Sequence, residues 1–480
     1  MKTCKKLNRP FFHFSTPKGW CNDPNGFSFF KNKVHLFYQY NPKDTKWGPM
    51  HWGHVTSKDM LHWKNLPIAL KPKDKFDNGG CFSGSAIDDD GKHVILYTGV
   101  QTIHDNTGLQ QQCLAIGNGR KYIKYKNNPV ITAKNIPFEF DKTNFRDPKL
   151  FMKNGIYYAV CMLVNANGLS SLVGLKSHNL KDWDYLNVID YSKDDKSTLW
   201  ECPDFFTLDG KDLILISAKD MKADPELNFF KGDNNLYITG NLDSSFVFHR
   251  EARSENNFTA APIDYGIDFY AQQTCLLPDG RRILIAWMQN WESYITPRYF
   301  KWTGMMTLPR ELHLVENRLI QKPIKEYQNL KKSPLQGKLS NCEFKLLDDK
   351  SRRCFELEIY IPKKQLEEKG FQEISLNISS VNKEYVNLSL NISQMTLSFD
   401  RSHTNHGGQT PSRSCKIPKL LPLENDQLTF HIIADCFSLE TYLNQGEFWF
   451  TNAYFMDSPF SKISLESNLQ TPINFSFYKL

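Results

Sequence analysis

Long apolar runs are missing from this sequence. No stretch of about 18 residues is apolar enough to cross a bilayer as a helix. The basic start, Met1-Lys2-Thr3-Cys4-Lys5-Lys6, is not followed by the apolar segment of a secretory signal. No membrane partner is expected, and the chain is expected in the cytoplasm, or outside the cell if a signal has been removed. Blocks of one charge are missing too. Lys and Arg number 59 against 52 Asp and Glu, interspersed, for a net charge of +7, so no nucleic-acid tail is present. The 11 cysteines run from Cys4 to Cys436 without a CxxC pair or a Cys/His metal spacing. They read as reduced thiols. The sequons Asn257-Phe258-Thr259 and Asn391-Ile392-Ser393 are of the kind an Asn-rich chain acquires by chance. Gly117-Asn118-Gly119-Arg120 is too short to cradle a phosphate, and no GxSxG or Ser/His/Asp order is visible. Long helical periodicity is absent throughout.

What is present is β-structure. The chain has 480 residues, enough for two domains, and 13% of them are aromatic. Aromatic side chains suit strands and also stack on the C–H faces of sugars. The first two-thirds repeats one unit: strand, tight polar turn, strand. The turns fall at Lys31-Asn32-Lys33, Asp90-Gly91-Lys92, Asn154-Gly155, Asp209-Gly210-Lys211 and Asp279-Gly280-Arg281. Five hairpins about 55–70 residues apart predict five blades of a β-propeller. Ser57–Trp63 and Ser177–Trp183 look alike, each an outer strand leaving through a Trp-ended turn. A last short hairpin reaches Pro323. From about residue 338 short alternating strands predict a β-sandwich, as in Cys354–Ile361 and Leu428–Ala434. The expected architecture is all-β: a five-bladed β-propeller over 1–320, a linker over 321–337, and a C-terminal β-sandwich over 338–480 that supports rather than catalyses.

Three carboxylates recur ahead of these turns. Asp23 lies nine residues before Asn32, Asp147 eight before Gly155, and Glu201 nine before Gly210. Equivalent places on inner strands converge on a propeller's channel, so three acids are expected in one pocket. Pro24, Pro148 and Pro203 follow them, as expected at the first residues of a strand, where a missing N–H costs little. Each acid alone reads as a turn or cap residue; their recurrence favours chemistry. Close carboxylates split their pKa values. That suits glycoside hydrolysis, in which an ionised acid attacks and a protonated one donates. Arg146 is expected to hold Asp147 ionised for substrate binding. Cys202 is expected to tune Glu201 by desolvation, with no redox role. His51 and His54, without a third ligand, read as hydrogen-bonded structural residues.

Asn22-Asp23-Pro24-Asn25-Gly26, Phe145-Arg146-Asp147-Pro148 and Trp200-Glu201-Cys202-Pro203 resemble the three signature motifs of glycoside hydrolase family 32, the invertases and fructanases. The likeness extends to Leu36–Pro42, Trp47–His54, Gly80–Ser85, Trp302–Leu312 and Asp435–Glu440, nearly the whole chain. Length and the Trp200–Asp204 stretch are most similar to the family's bacterial sucrose-6-phosphate hydrolases. The resemblance implies a propeller followed by a sandwich. It implies Asp23 as nucleophile, Glu201 as acid/base, and Asp147 as transition-state stabiliser through fructose hydroxyls. Asn22, Gln39, Trp47, Phe82, Ser83 and Arg146 match positions lining the fructose pocket. Cys21 replaces the Met usual before Asn-Asp-Pro.

The expected function is a retaining β-fructofuranosidase acting on the terminal β-D-fructosyl bond of sucrose or sucrose 6-phosphate, without cofactor or metal. Retention implies carboxyl groups of Asp23 and Glu201 about 5–5.5 Å apart. A fructan exo-hydrolase or fructosyltransferase would use the same three acids. A purely sugar-binding propeller would not need an acid/base pair. The resemblance also allows the sandwich a part in homo-oligomer assembly or in lengthening the cleft.

Overall fold

The structure, a computed structural model, describes residues 9–102, 108–192, 199–251, 259–347, 354–368, 370–458 and 460–480. The basic start with Cys4, and Asn257 and Phe258 of the first sequon, lie outside them. Asn391 of the second sequon is buried in a strand, with Oδ1 accepting the Gln394 N–H, which is unlike a glycan acceptor.

Residues 19–323 form five sheets of four or five strands. We label their inner strands β1 (Gly19–Phe30), β2 (Gly80–Asp89), β3 (Phe140–Lys153), β4 (Leu199–Leu208) and β5 (Tyr270–Leu276). β1 packs beside β2, β2 beside β3, β3 beside β4, β4 beside β5, and β5 again beside β1. The sheets thus ring a central axis in a propeller-like arrangement. The hairpin turns lie where the polar dipeptides stand. Lys31-Asn32, Asp90-Gly91, Asn154-Gly155 and Asp209-Gly210 have positive φ at both residues, the geometry that matches strand twist in a two-residue hairpin. The Trp-ended turns are also equivalent. Ser57 Oγ accepts the Met60 N–H at 2.8 Å and Ser177 Oγ the Leu180 N–H at 2.9 Å, with Met60 and Leu180 both at positive φ.

The prolines do not mark strand starts. Asp23-Pro24 lies five residues into β1, and Pro148 and Pro203 are likewise internal. They are tolerated because each inner strand is bulged there. Between paired positions Cys21 and Pro24, Arg146 and Lys149, Glu201 and Asp204, and Tyr270 and Gln273, two residues face one on the neighbour. β2 carries an extra residue, Ser83, between Phe82 and Gly84. A bulge leaves residues outside the ladder and re-aims side chains, here toward the axis.

The fifth sheet runs to Pro323, and the first sandwich strand, Leu335–Leu339, begins within the expected linker. A 3₁₀ turn, Lys325–Leu330, lies between. Two six-stranded sheets then face each other. Period-2 burial puts Ile374, Leu376 and Ile378 opposite Leu390, Leu388 and Val386 on the inner face. Buried arginines join this sandwich to the propeller-like part. Arg310 holds Asp264 Oδ2 at 2.8 Å, Glu440 Oε1 at 2.7 Å and Thr451 Oγ1 at 2.6 Å. Arg401 holds Asp268 Oδ2 and the Ala453 carbonyl, each at 2.6 Å. No helix among the described residues is long and apolar enough to cross a membrane.

Candidate active site

The bulges bring three acids to one cavity of about 300 Å³. It is lined by Asn22, Asp23, Gln39, Trp47, Phe82, Ser83, Arg146, Asp147, Glu201, Lys219 and Trp291. All nine residues singled out from the sequence are among them. The acids are near register rather than in it. Asp23 is the second residue of its bulge, Asp147 the first, and Glu201 the paired residue just before. This stagger gives the three carboxylates different surroundings.

Asp23 is buried. Its Oδ2 accepts from Ser83 Oγ at 2.6 Å and its Oδ1 from Asn22 Nδ2 at 2.9 Å. Asn22 is fixed in turn by Trp20 Nε1 at 2.6 Å. Burial pushes the Asp23 carboxyl up from the usual range, and the hydrogen bonds oppose that. Cys202, left-handed in its bulge, points its Sγ at Asp23 Oδ2 (3.5 Å) and donates its N–H to Asp147 Oδ2 at 2.9 Å. It serves these two acids rather than Glu201, and burial keeps its thiol protonated.

Glu201 Oε2 accepts from Tyr270 Oη at 2.7 Å, and Glu201 Oε1 lies 3.2 Å from Arg146 Nη2. The expectation that Arg146 holds Asp147 ionised is not met. Arg146 Nε stands 3.9 Å from Asp147 Oδ2, while Nη1 donates to Gln110 Oε1 and Asn144 Oδ1. Burial therefore dominates, and the Asp147 carboxyl is raised to about 7, with Arg146 pulling against it.

Around the acids, Gln39 Nε2 donates to Asn25 Oδ1 at 2.6 Å and to the Cys81 carbonyl at 3.1 Å. Trp47, 48% exposed, stands edge-on to Phe82 with ring centres 6.0 Å apart. A flat ring at the rim of a polar, acid-lined cavity suits a sugar. His51 and His54 do not converge. His51 bonds the Pro49 carbonyl, while His54 is buried against His35, as opposite faces of one strand require. Among the described residues, three side chains of metal-ligand type come close enough to share one ion only in the sandwich, at Cys354, Asp435 and Cys436 and at Glu356, Glu358 and His431.

Three carboxylates share this pocket, and the sequence as a whole has known relatives. Residues 13–323 match the glycosyl hydrolases family 32 N-terminal domain, and residues 317–478 the family 32 C-terminal domain. The chain belongs to glycosyl hydrolase family 32. It is 33% identical to the sucrose-6-phosphate hydrolase of Zymomonas mobilis over 91% of this chain and 84% of that one. It is 37% identical to a raffinose invertase of Escherichia coli over 67% and 66%. A family 32 β-fructofuranosidase of Bombyx mori superposes with a TM-score of 0.83 at 30% identity, covering 99% of this chain and 94% of that one. A variant of that enzyme was solved in complex with sucrose. The protein is thus a glycoside hydrolase.

Sequence reasoning missed Lys219, Trp291 and Tyr270. The repeat itself pointed to Tyr270: it is the paired residue just before the β5 bulge, the place Glu201 takes in β4. Lys219 lies on a second strand and Trp291 in a loop, where the repeat says nothing.

Proposed function

We propose that this enzyme is a retaining β-fructofuranosidase hydrolysing the terminal β-D-fructosyl bond of sucrose or sucrose 6-phosphate. The carrying observation is that Asp23 and Glu201, each fixed by its own hydrogen-bond partners, line one pocket with Asp147. Asp23 is buried and held by neutral donors; Glu201 is partly open and held by Arg146 and Tyr270. In this reading Asp23 attacks the anomeric carbon of fructose. The bond from that carbon to the glucosyl oxygen breaks, and that oxygen takes a proton from Glu201. A fructosyl ester on Asp23 remains. Water then replaces the glucose, gives a proton to Glu201 and attacks the same carbon, and the ester breaks to restore Asp23. Asp147 hydrogen-bonds the fructose hydroxyls, and its raised pKa lets it donate as well as accept.

The test is turnover in the presence of methanol. Two displacements give methyl β-D-fructofuranoside; the α-anomer would reject the nucleophilic role of Asp23. Asp23→Ala should abolish turnover of sucrose and sucrose 6-phosphate alike. Release of free fructose at high sucrose, rather than oligofructans, marks hydrolysis over transfer. An intracellular reaction belongs to this reading, since the nine cysteines whose side chains are described are free thiols. Recovery of the activity from culture medium rather than cell extract would refute that location.

A further inference from the structure

The pocket has a leaving-group side. If Glu201 protonates the glucosyl oxygen, glucose must lie beyond Glu201, away from the Asp23 floor. The strand after β4, Lys211–Met221, runs antiparallel to it, with Glu201 opposite Ser217 and Leu199 opposite Lys219. Two residues along a strand return to the same face. Lys219 therefore stands on the Glu201 side, two cross-strand pairs nearer the strand end, and it lines the cavity.

Its charge is not consumed locally. The other pocket cation, Arg146, lies against Glu201 and Asp147 and bonds Gln110 and Asn144. The Lys219 side chain makes no hydrogen bond and no ion pair among the described residues. Its Nζ stands 5.8 Å from the centre of the Trp291 ring, itself part of the cavity wall. Asp233, beside Trp291 and receiving its N–H at 3.1 Å, is a competitor for Lys219. Burial raises the Asp233 carboxyl to about 6, and Lys219 acts on it only beyond ion-pair distance. A neutral glucose has little use for a free ammonium. A phosphate ester does: an ammonium is a compact charge with three donors, and charge-assisted bonds to phosphate are among the strong ones.

We propose that Lys219 is a specificity-determining residue that binds the phosphate of a 6-phosphorylated glucosyl leaving group, so that the enzyme prefers sucrose 6-phosphate to sucrose. This rests on the fructosidase reading. Trp291 stacks against the glucose ring and sets the reach of the phosphate to Lys219.

The test compares wild type, Lys219→Gln and Lys219→Arg. In Lys219→Gln the ratio of kcat/KM on sucrose 6-phosphate to that on sucrose should fall about tenfold or more, mostly through KM, as loss of one charge-assisted bond requires. Lys219→Arg should keep most of the ratio. The wild-type preference should weaken as salt is raised, because the site is open to solvent. A ratio in Lys219→Gln within about twofold of wild type would overturn the proposal. Calorimetric titration with glucose 6-phosphate and with glucose supplies a readout without turnover. Wild type should bind the phosphorylated sugar more tightly, and Lys219→Gln should lose the difference; an unchanged difference counts against Lys219. If wild type cleaves neither disaccharide, the β-fructofuranosidase reading falls, while the titration still decides Lys219.

Discussion

Asp23 has to be ionised to attack, yet it sits where burial favours the neutral acid. Ser83 and Asn22 resolve the conflict by donating to the carboxylate. Ser83→Ala removes the 2.6 Å bond and should shift the acidic limb of the kcat/KM profile to higher pH. At fixed acidic pH it should lose about tenfold or more in kcat/KM, the scale of a hydrogen bond to a charged group. An unmoved limb would mean that Ser83 contributes only packing. Asp147 is raised to about 7 and feels the charge of Asp23, so an apparent ionisation near neutrality is not assigned to Asp23 alone. Tyr270 acts on the other acid. Tyr270→Phe keeps the ring and removes the donor to Glu201. Its kcat should fall about tenfold to a hundredfold, with thermal unfolding little changed; wild-type kcat would show that Arg146 alone positions Glu201.

The unit that sets these residues in place is the bulged inner strand, held from outside by its neighbours. Trp302–Thr303 runs parallel to β1 at Gly19–Trp20, and Gly304 follows at φ +88°. A Cβ on Gly304 would stand 1.9 Å from the Cys21 carbonyl oxygen, two residues before Asp23. Gly304→Ala should destabilise the fold by at least about 2 kcal/mol, from left-handed backbone and clash together. It should also lower kcat by displacing β1. Calorimetry with steady-state rates checks both, and a stable, fully active variant would show that β1 does not depend on this contact. Much of this scale was legible in the sequence. Dipeptides such as Asp209-Gly210 name their own turn, because few residues accept positive φ twice. Alternation in Glu373–Ser380 names an inner face because the side-chain period is two. The bulges were not legible: Asp23-Pro24 reads the same at a strand start as inside one, and only the partner's register separates the two. The electrostatics of Arg146 were equally hidden. Adjacency to Asp147 in sequence said nothing of Glu201, which reaches the guanidinium from another sheet.

At the scale of the whole molecule, stability should depend on pH from two sides, through buried histidines of opposite kind. His13 lies between Asp435 Oδ2, 2.9 Å from its Nδ1, and Glu440 Oε2, 2.7 Å from its Nε2. Glu440 also holds Arg310, and Asp435 accepts the Phe11 and Phe12 N–H groups, so one network ties the start of the described chain, the fifth sheet and the sandwich together. Burial disfavours the imidazolium, but the two carboxylates prevail and raise His13 to about 9, while Asp435 and Glu440 are lowered. A raised pKa means that the folded state keeps a proton the unfolded chain loses. This stabilisation is complete below about pH 6.5 and is lost as pH rises through 9; it amounts to about 3 kcal/mol. His35, His54 and His93 are the reverse. His35 Nδ1 meets His54 Nε2 at 3.0 Å, and His93 lies between Ser28 Oγ and Tyr122 Oη. Burial lowers all three, His35 to about 4 and His93 to about 3. The unfolded chain takes up protons there first, so stability falls as pH drops below about 6.5. The lowered acids of the His13 network add to the loss near pH 4. Chemical denaturation as a function of pH should therefore trace a dome with its top near neutrality. In His13→Gln the alkaline flank between pH 7 and 9 should flatten while the acidic flank persists; a flank that stays as steep would remove His13 from the account.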